Sequence, residues 1–128
     1  MRILVVDDRE DSRMLIKDVV EQSGGHTAVL AENGREAWEL LDRGGIGYIV
    51  SDKDMPEMSG VELLKLVRRD SRTAGIPFIL MSGYRVVSDN DPTPLEDVCA
   101  QFGATFLPKP FSIFRLLALI DVGMEMTI

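Results

Sequence analysis

The chain has 128 residues, 45% of them hydrophobic and 27% charged, which suits one globular core and excludes two full domains or a disordered tail protein. Asp and Glu number 21 against 14 Lys and Arg, a net charge of -7 that repels phosphate-rich polymers and excludes a stand-alone nucleic-acid binder. The excess is local, because residues 1–64 hold 14 acids and 7 bases and residues 65–128 hold 7 of each.

In chain order, the first apolar segment is Ile3–Val6, followed by a helical period in which Leu15, Ile16, Val19 and Val20 form a buried stripe and Arg9, Glu10, Asp11 and Lys17 face outward. Thr27–Leu30 is a short second strand after the Gly24-Gly25 turn. A second helix starts at the cap Asn33, with Glu36 three residues on, carries Ala37, Leu40 and Leu41, and stops at Gly44-Gly45. Tyr48–Ser51 is the third strand, and a third helix starts at Ser59 with Glu62 and buries Val61, Leu64 and Val67. Phe78–Met81 is the fourth strand. Ser88-Asp89-Asn90-Asp91-Pro92 then reads as an exposed loop within residues 84–93. Thr93 is expected to cap a fourth helix with Pro94 in its first position, Val98 and Phe102 on its inner face, and Gly103 as its end. Thr105–Leu107 is the fifth strand, and a last helix from Ser112 uses Phe114, Leu117 and Ile120 and stops near Gly123.

The strands are nearly continuous in hydrophobicity and alternate with helices, so the expected fold is α/β: a three-layer, doubly wound, five-stranded parallel sheet. In such sheets the functional edge lies at the carboxyl ends of the strands. Asp7 and Asp8 follow strand one, Asp52 ends strand three, Ser82 follows strand four and Lys109 follows strand five. Singly, each has an ordinary reading: an acid pair capping a helix, a loop carboxylate, a turn hydroxyl, a surface ammonium. Jointly they form a site. Three converging carboxylates repel one another unless a cation intervenes, and Mg²⁺ suits oxygen ligands that include phosphoryl oxygen. A free oxygen of Asp52 can then attack phosphorus, with Lys109 and Ser82 contacting the transferred oxygens.

The stretches Ile3-Leu4-Val5-Val6-Asp7-Asp8, Ser51-Asp52-Lys53-Asp54-Met55-Pro56-Glu57-Met58-Ser59-Gly60 and Leu107-Pro108-Lys109-Pro110-Phe111 resemble the receiver domain of bacterial two-component response regulators, over residues 2–122. The resemblance implies a flavodoxin-like strand order 2-1-3-4-5, Asp52 as phosphoryl acceptor, and an Mg²⁺ site of Asp7, Asp8, Asp52 and the backbone carbonyl of Asp54. It implies that Ser82 is the hydroxyl that moves toward the phosphate, that Lys109 precedes a cis bond to Pro110, and that Phe106 is the switch aromatic, without the phenol that some members carry. Asp54 and Tyr84 fall where side chains modulate hydrolysis of the acyl phosphate. The implied donor is a histidine kinase or a histidine phosphotransfer protein, and the implied output surface is the face of helix four, strand five and helix five. Between Ser82 and Lys109 the chain is about five residues longer than the family pattern, which predicts a shortened or displaced fourth helix.

Residues 1–123 are expected to form the receiver and 124–128 a short tail, with any downstream protein or fused output domain outside this chain. The lone Cys99 excludes an internal disulfide and fits a reducing compartment, and no apolar run approaches the roughly 18 residues that a membrane span needs. A cytoplasmic protein without membrane insertion or direct nucleic-acid contact is expected, with self-phosphorylation and autodephosphorylation but no multiple-turnover substrate. Two other functions fit parts of the pattern. Asp52-Lys53-Asp54 is similar to the nucleophile and acid of haloacid-dehalogenase-type phosphatases, in the reverse chain order and without a cap domain. A constitutive receiver-like docking module needs no working pocket. Flavin binding is disfavoured because Asp7-Asp8 would face an anion. His26 is read as an exposed turn residue, Trp38 as padding on helix two, Cys99 as a small residue near the core, and Met55 and Met58 as shaping the acceptor loop.

Overall fold

The computed structural model describes residues 1–22 and 24–127, with side chains described through residue 121. The elements are β1 (Arg2–Val6), α1 (Glu10–Gln22), β2 (Thr27–Ala31), α2 (Gly34–Asp42), β3 (Tyr48–Asp52) and α3 (Gly60–Arg69), followed by β4 (Phe78–Ser82), β5 (Val86–Ser88), β6 (Asp91–Pro94), α4 (Leu95–Gln101), β7 (Thr105–Pro108) and α5 (Ile113–Thr127). Five strands form one parallel sheet in the order β2-β1-β3-β4-β7. With the small ribbon β5–β6 set aside, this is the expected 2-1-3-4-5 order.

Both faces of the sheet are covered, which is why its strands lack an alternating polar side. Successive side chains point to opposite faces, so β1 sends Leu4 and Val6 to one layer and Ile3 and Val5 to the other. The first layer packs Ile49 and Leu80 against Ala37, Leu64 and Val98 from α2, α3 and α4. The second packs Val50, Ile79 and Leu107 against Ile16 and Val20 of α1 and Leu116 and Ile120 of α5. Full burial of each such Leu, Ile or Val contributes about 1.5–3 kcal/mol relative to exposure.

Local signals set the helix starts and stops. The Glu36 N–H donates to Asn33 Oδ1 at 2.8 Å and the Glu62 N–H to Ser59 Oγ at 3.2 Å, satisfying donors that a first helical turn leaves free. After α4, Gly103 adopts a φ of +65°, and the Ala104 N–H reaches back to the Cys99 carbonyl at 2.8 Å, closing the helix at the expected glycine.

Six local expectations are corrected. Residues 84–93 are not an open loop: β5 and β6 pair antiparallel, Val86 opposite Pro94 and Ser88 opposite Asp91. Thr93 does not cap α4. Its hydroxyl donates to the Asp91 carboxylate at 2.6 Å, leaving Pro94 at the cap without a side-chain bond, and α4 has only seven residues. Leu15 is 53% exposed, because α1 turns Ile16, Val19 and Val20 inward and leaves Leu15 beside an open hollow bordered by Ile113. Phe114 is 83% exposed, since the i,i+4 pair Leu116 and Ile120 forms the buried face of α5. The backbone of α5 continues through Gly123 to Thr127; one glycine costs about 1 kcal/mol in a helix, and Met124, Glu125 and Met126 after it are good helix formers. His26 is half-buried rather than exposed, with its Nδ1 enclosed. Trp38, Met55 and Met58 pack against the first core layer, and Cys99 is buried, with its thiol pushed up to about 11 by burial.

Candidate functional site

The carboxyl ends of β1, β3, β4 and β7 meet at one edge. Register makes this so: Val6 lies opposite Ser51, Asp52 opposite Met81, and Ser82 opposite Pro108. The residues that follow these positions therefore share a rim. One carboxylate oxygen from each of Asp7, Asp8 and Asp52 falls within 4.8 Å of the others. Lys109 Nζ donates to Asp52 Oδ1 at 2.8 Å and lies 4.0 Å from Asp7 Oδ2.

Each side chain is held by its backbone. Asp7 is fully buried; its N–H donates to the Ala31 carbonyl at 3.1 Å, its own carbonyl accepts from Arg13 at 2.8 Å, and its Oδ1 accepts the Arg9 N–H at 3.0 Å. Asp7 Oδ2 is buried with no hydrogen bond among the described residues. Asp8 lies at the exposed rim. The Lys109 N–H donates to the Ser82 carbonyl at 2.8 Å, just before the cis peptide bond to Pro110. Ser82 is buried; its Oγ accepts the Tyr84 N–H at 2.9 Å and keeps its proton available to donate.

The loop after β3 closes against the start of α3. The Gly60 N–H donates to the Lys53 carbonyl at 2.7 Å, and a Cβ at position 60 would strike the Asp52 carbonyl oxygen and come within 2.8 Å of Leu80 Cδ1. Only glycine allows this approach. The Asp54 carboxylate pairs with Lys53 Nζ at 3.1 Å. Tyr84 is exposed, and its ring centre lies 5.5 Å from the same ammonium. Phe106, on β7, is half-buried against the first core layer.

Electrostatics follow from this crowding. Burial raises Asp52 above the usual carboxylate range, the charges of Asp54 and Asp8 add to the rise, and Lys109 opposes it. Burial likewise raises Asp7, with Asp52 and Asp8 adding and the Arg9 N–H and Lys109 opposing. Three acids against one ammonium, with a buried oxygen unbonded, is a donor set that fits a small divalent cation with oxygen ligands.

Lys53 is the residue that sequence reasoning missed. Its side chain is only 6% exposed, and its ammonium donates to the carbonyls of Val87 at 3.0 Å and Val86 at 3.4 Å. The available signal was indirect: a lysine between two acids, in a chain with extra residues after Ser82 that needed an anchor.

A family model described as the response regulator receiver domain matches residues 3–121. The chain is 42% identical over 83 residues to chemotaxis protein CheY1 of Helicobacter pylori, an alignment covering 64% of this chain and 67% of that protein. Among solved structures it is similar to chemotaxis response regulator CheY4 of Vibrio cholerae, with a TM-score of 0.80 at 27% identity over 95% of this chain and 97% of that one. It is also similar to the Francisella response regulator 1452 receiver domain, with a TM-score of 0.84 at 28% identity over 99% of this chain and 98% of that one.

Proposed function

This chain belongs to the response regulator receiver domain family, and from that premise we propose that Asp52 is the acceptor of a signalling phosphoryl group delivered by the phosphohistidine of a histidine kinase or histidine phosphotransfer protein. The observation that carries the assignment is the convergence of the Asp7, Asp8 and Asp52 carboxylates within 4.8 Å, with Lys109 bonded to Asp52. An ionised carboxylate needs no general base, so an oxygen of Asp52 attacks phosphorus directly while the bond from phosphorus to the donor nitrogen breaks. Lys109 exchanges its bond to Asp52 for one to a transferred oxygen, and the Ser82 hydroxyl donates a hydrogen bond to another.

Asp7, Asp8, Asp52 and the backbone carbonyl of Asp54 would hold Mg²⁺, which supplies positive charge against the carboxylates and the phosphoryl oxygens. The unbonded Asp7 Oδ2 favours this assignment. Residues 1–123 serve as the receiver. Phosphorylation draws Ser82 toward the phosphate, and Phe106 repacks with it. The face of α4, β7 and α5 then changes its affinity for a downstream protein or fused output domain. No described helix is long and apolar enough to cross a membrane, and a cytoplasmic setting suits a partner kinase. A phosphatase reading is weaker, because the carboxylate that would serve as its acid, Asp54, is paired with Lys53 instead.

The test is intact-mass measurement after incubating wild type and Asp52→Ala with Mg²⁺ and a small phosphodonor. One phosphoryl group on wild type, none on the variant, and no label in chelator are expected. A label that survives the substitution sinks the assignment.

A further inference from the structure

Lys53 stands next to the acceptor, and none of the proposed steps uses it. A charged side chain is rarely enclosed unless its partners are good. Here the ammonium has three, the Val86 and Val87 carbonyls on the β5–β6 ribbon and Asp54 Oδ1 at 3.1 Å, and the Tyr84 ring lies beside it. Its backbone is fixed as well, with the Lys53 N–H donating to the Met81 carbonyl at 2.8 Å and its own carbonyl accepting from Gly60. Lys53 therefore joins the acceptor loop to the segment inserted between Ser82 and α4. It also restrains a carboxylate near enough to Asp52 for its charge to be felt there.

We propose that Lys53 is a positioning residue that prolongs the phosphorylated state by holding the Asp54 carboxylate against the ribbon, where it cannot orient water toward phosphorus on Asp52. The inference rests on Asp52 being the acceptor. In the hydrolysis concerned, a water oxygen bonds to phosphorus, and the bond from phosphorus to the Asp52 oxygen breaks with its electron pair returning to the carboxylate. Both water protons leave on dihydrogen phosphate, which passes one to solvent near neutral pH. A carboxylate free to accept a hydrogen bond from that water speeds the attack, whereas one paired with a buried ammonium does not. Asp54 has the space to change partners, since its side chain is 61% exposed.

The experiment follows decay of the label by intact mass in wild type, Lys53→Met, Lys53→Gln, Asp54→Asn and Lys53→Met/Asp54→Asn, each in Mg²⁺ after removal of the small phosphodonor. Lys53→Met is expected to shorten the lifetime at least threefold. Lys53→Gln retains a donor for the ribbon carbonyls but loses the ion pair; it is expected to show the same shortening with the melting temperature closer to that of wild type, and it replaces Lys53→Met if that variant does not fold. Asp54→Asn is expected to abolish the effect, so that the double variant decays like Asp54→Asn alone. A merely structural role for Lys53 would leave its effect intact in the Asp54→Asn background. Equal decay in wild type and Lys53→Gln overturns the inference alone, as does an effect that persists without the Asp54 carboxylate. Absence of label on wild type overturns the acceptor assignment and the inference together.

Discussion

Lys109 Nζ reaches Asp52 Oδ1 at 2.8 Å across 57 positions of sequence, and the same ammonium lies 4.0 Å from Asp7 Oδ2. The ammonium is therefore shared by two buried carboxylates, and the Ser82 carbonyl fixes the backbone that carries it. On the proposed assignment the ammonium already lies where negative charge would accumulate, so little reorganisation would be needed as phosphoryl oxygens arrive.

Replacing Lys109 by Met keeps most of the stem and removes the charge. The rate of labelling by a small phosphodonor is expected to fall by about 10²-fold, the usual loss for a donor aimed at transition-state charge. A mass-resolved time course checks this, and a rate within a few-fold of wild type would remove Lys109 from the transfer.

Asp7 sets a pH dependence with a definite sign. Burial raises Asp7 above its ordinary value of 3.8, so the fold favours the protonated form. Its contribution to stability is fully present below about pH 3.8, is lost as pH rises through the raised value, and becomes a penalty when the metal-free protein is ionised near neutrality. In chelator at neutral pH, Asp7→Asn is expected to raise the melting temperature by about 3 °C, on the order of 1 kcal/mol. The gain should vanish as pH approaches 4, and Mg²⁺ should raise the melting temperature of wild type more than that of the variant. Thermal melts with and without Mg²⁺ over this range check the sign, and a loss of stability in Asp7→Asn at neutral pH would contradict it.

Much of this was legible because the chemistry sits where apolar runs stop. Val6-Asp7-Asp8, Val50-Ser51-Asp52 and Met81-Ser82 each change from buried hydrophobe to polar group within two positions, and parallel topology brings such ends to one edge. The ribbon was not legible, because Ser88-Asp89-Asn90-Asp91-Pro92 has the composition of a loop. What orders it is tertiary: the Lys53 ammonium on the Val86 and Val87 carbonyls, and the Leu95 N–H on the Arg85 carbonyl at 2.8 Å. Leu15 and Phe114 show the converse limit. Helical periodicity identifies an apolar face, but only packing decides how far around the helix it is covered.

Arg68 also escapes a reading by periodicity, since it sits in the last turn of α3 like any solvent-facing charge. Its guanidinium donates to the carbonyls of Phe102 at 2.6 Å, Ile76 at 2.7 Å, Ala74 at 3.0 Å and Gly103 at 3.2 Å. One side chain thus satisfies carbonyls at the end of α4 and in the turn before β4. Arg68→Ala is expected to cost about 2–4 kcal/mol in urea unfolding, and Arg68→Lys to recover less than half of it, because a point charge cannot serve four divergent acceptors. A cost below about 0.5 kcal/mol would show that water replaces these bonds without penalty.

Gly60 links the stability of the fold to the chemistry of Asp52. Its N–H closes the acceptor loop on Lys53, and the space where a Cβ would lie is filled by the Asp52 carbonyl oxygen, Leu80 Cδ1 and Lys53 Cα, the last two at 2.8 and 2.9 Å. The strain does not come from φ, since Gly60 lies outside the left-handed region, so the whole penalty of Gly60→Ala is one of contact. The obstructing atoms are mostly backbone and cannot rotate away; α3 has to move off the end of β3 and take the acceptor loop with it. Overpacking of this kind costs about 1–3 kcal/mol. A displaced Asp52 also loses its alignment with Lys109, so the labelling rate of the folded variant should fall by about tenfold or more. Urea unfolding gives the first quantity and the mass-resolved time course the second. If Gly60→Ala loses stability but labels at the wild-type rate, the approach of α3 to β3 serves packing alone, and the position of Asp52 is set by the sheet.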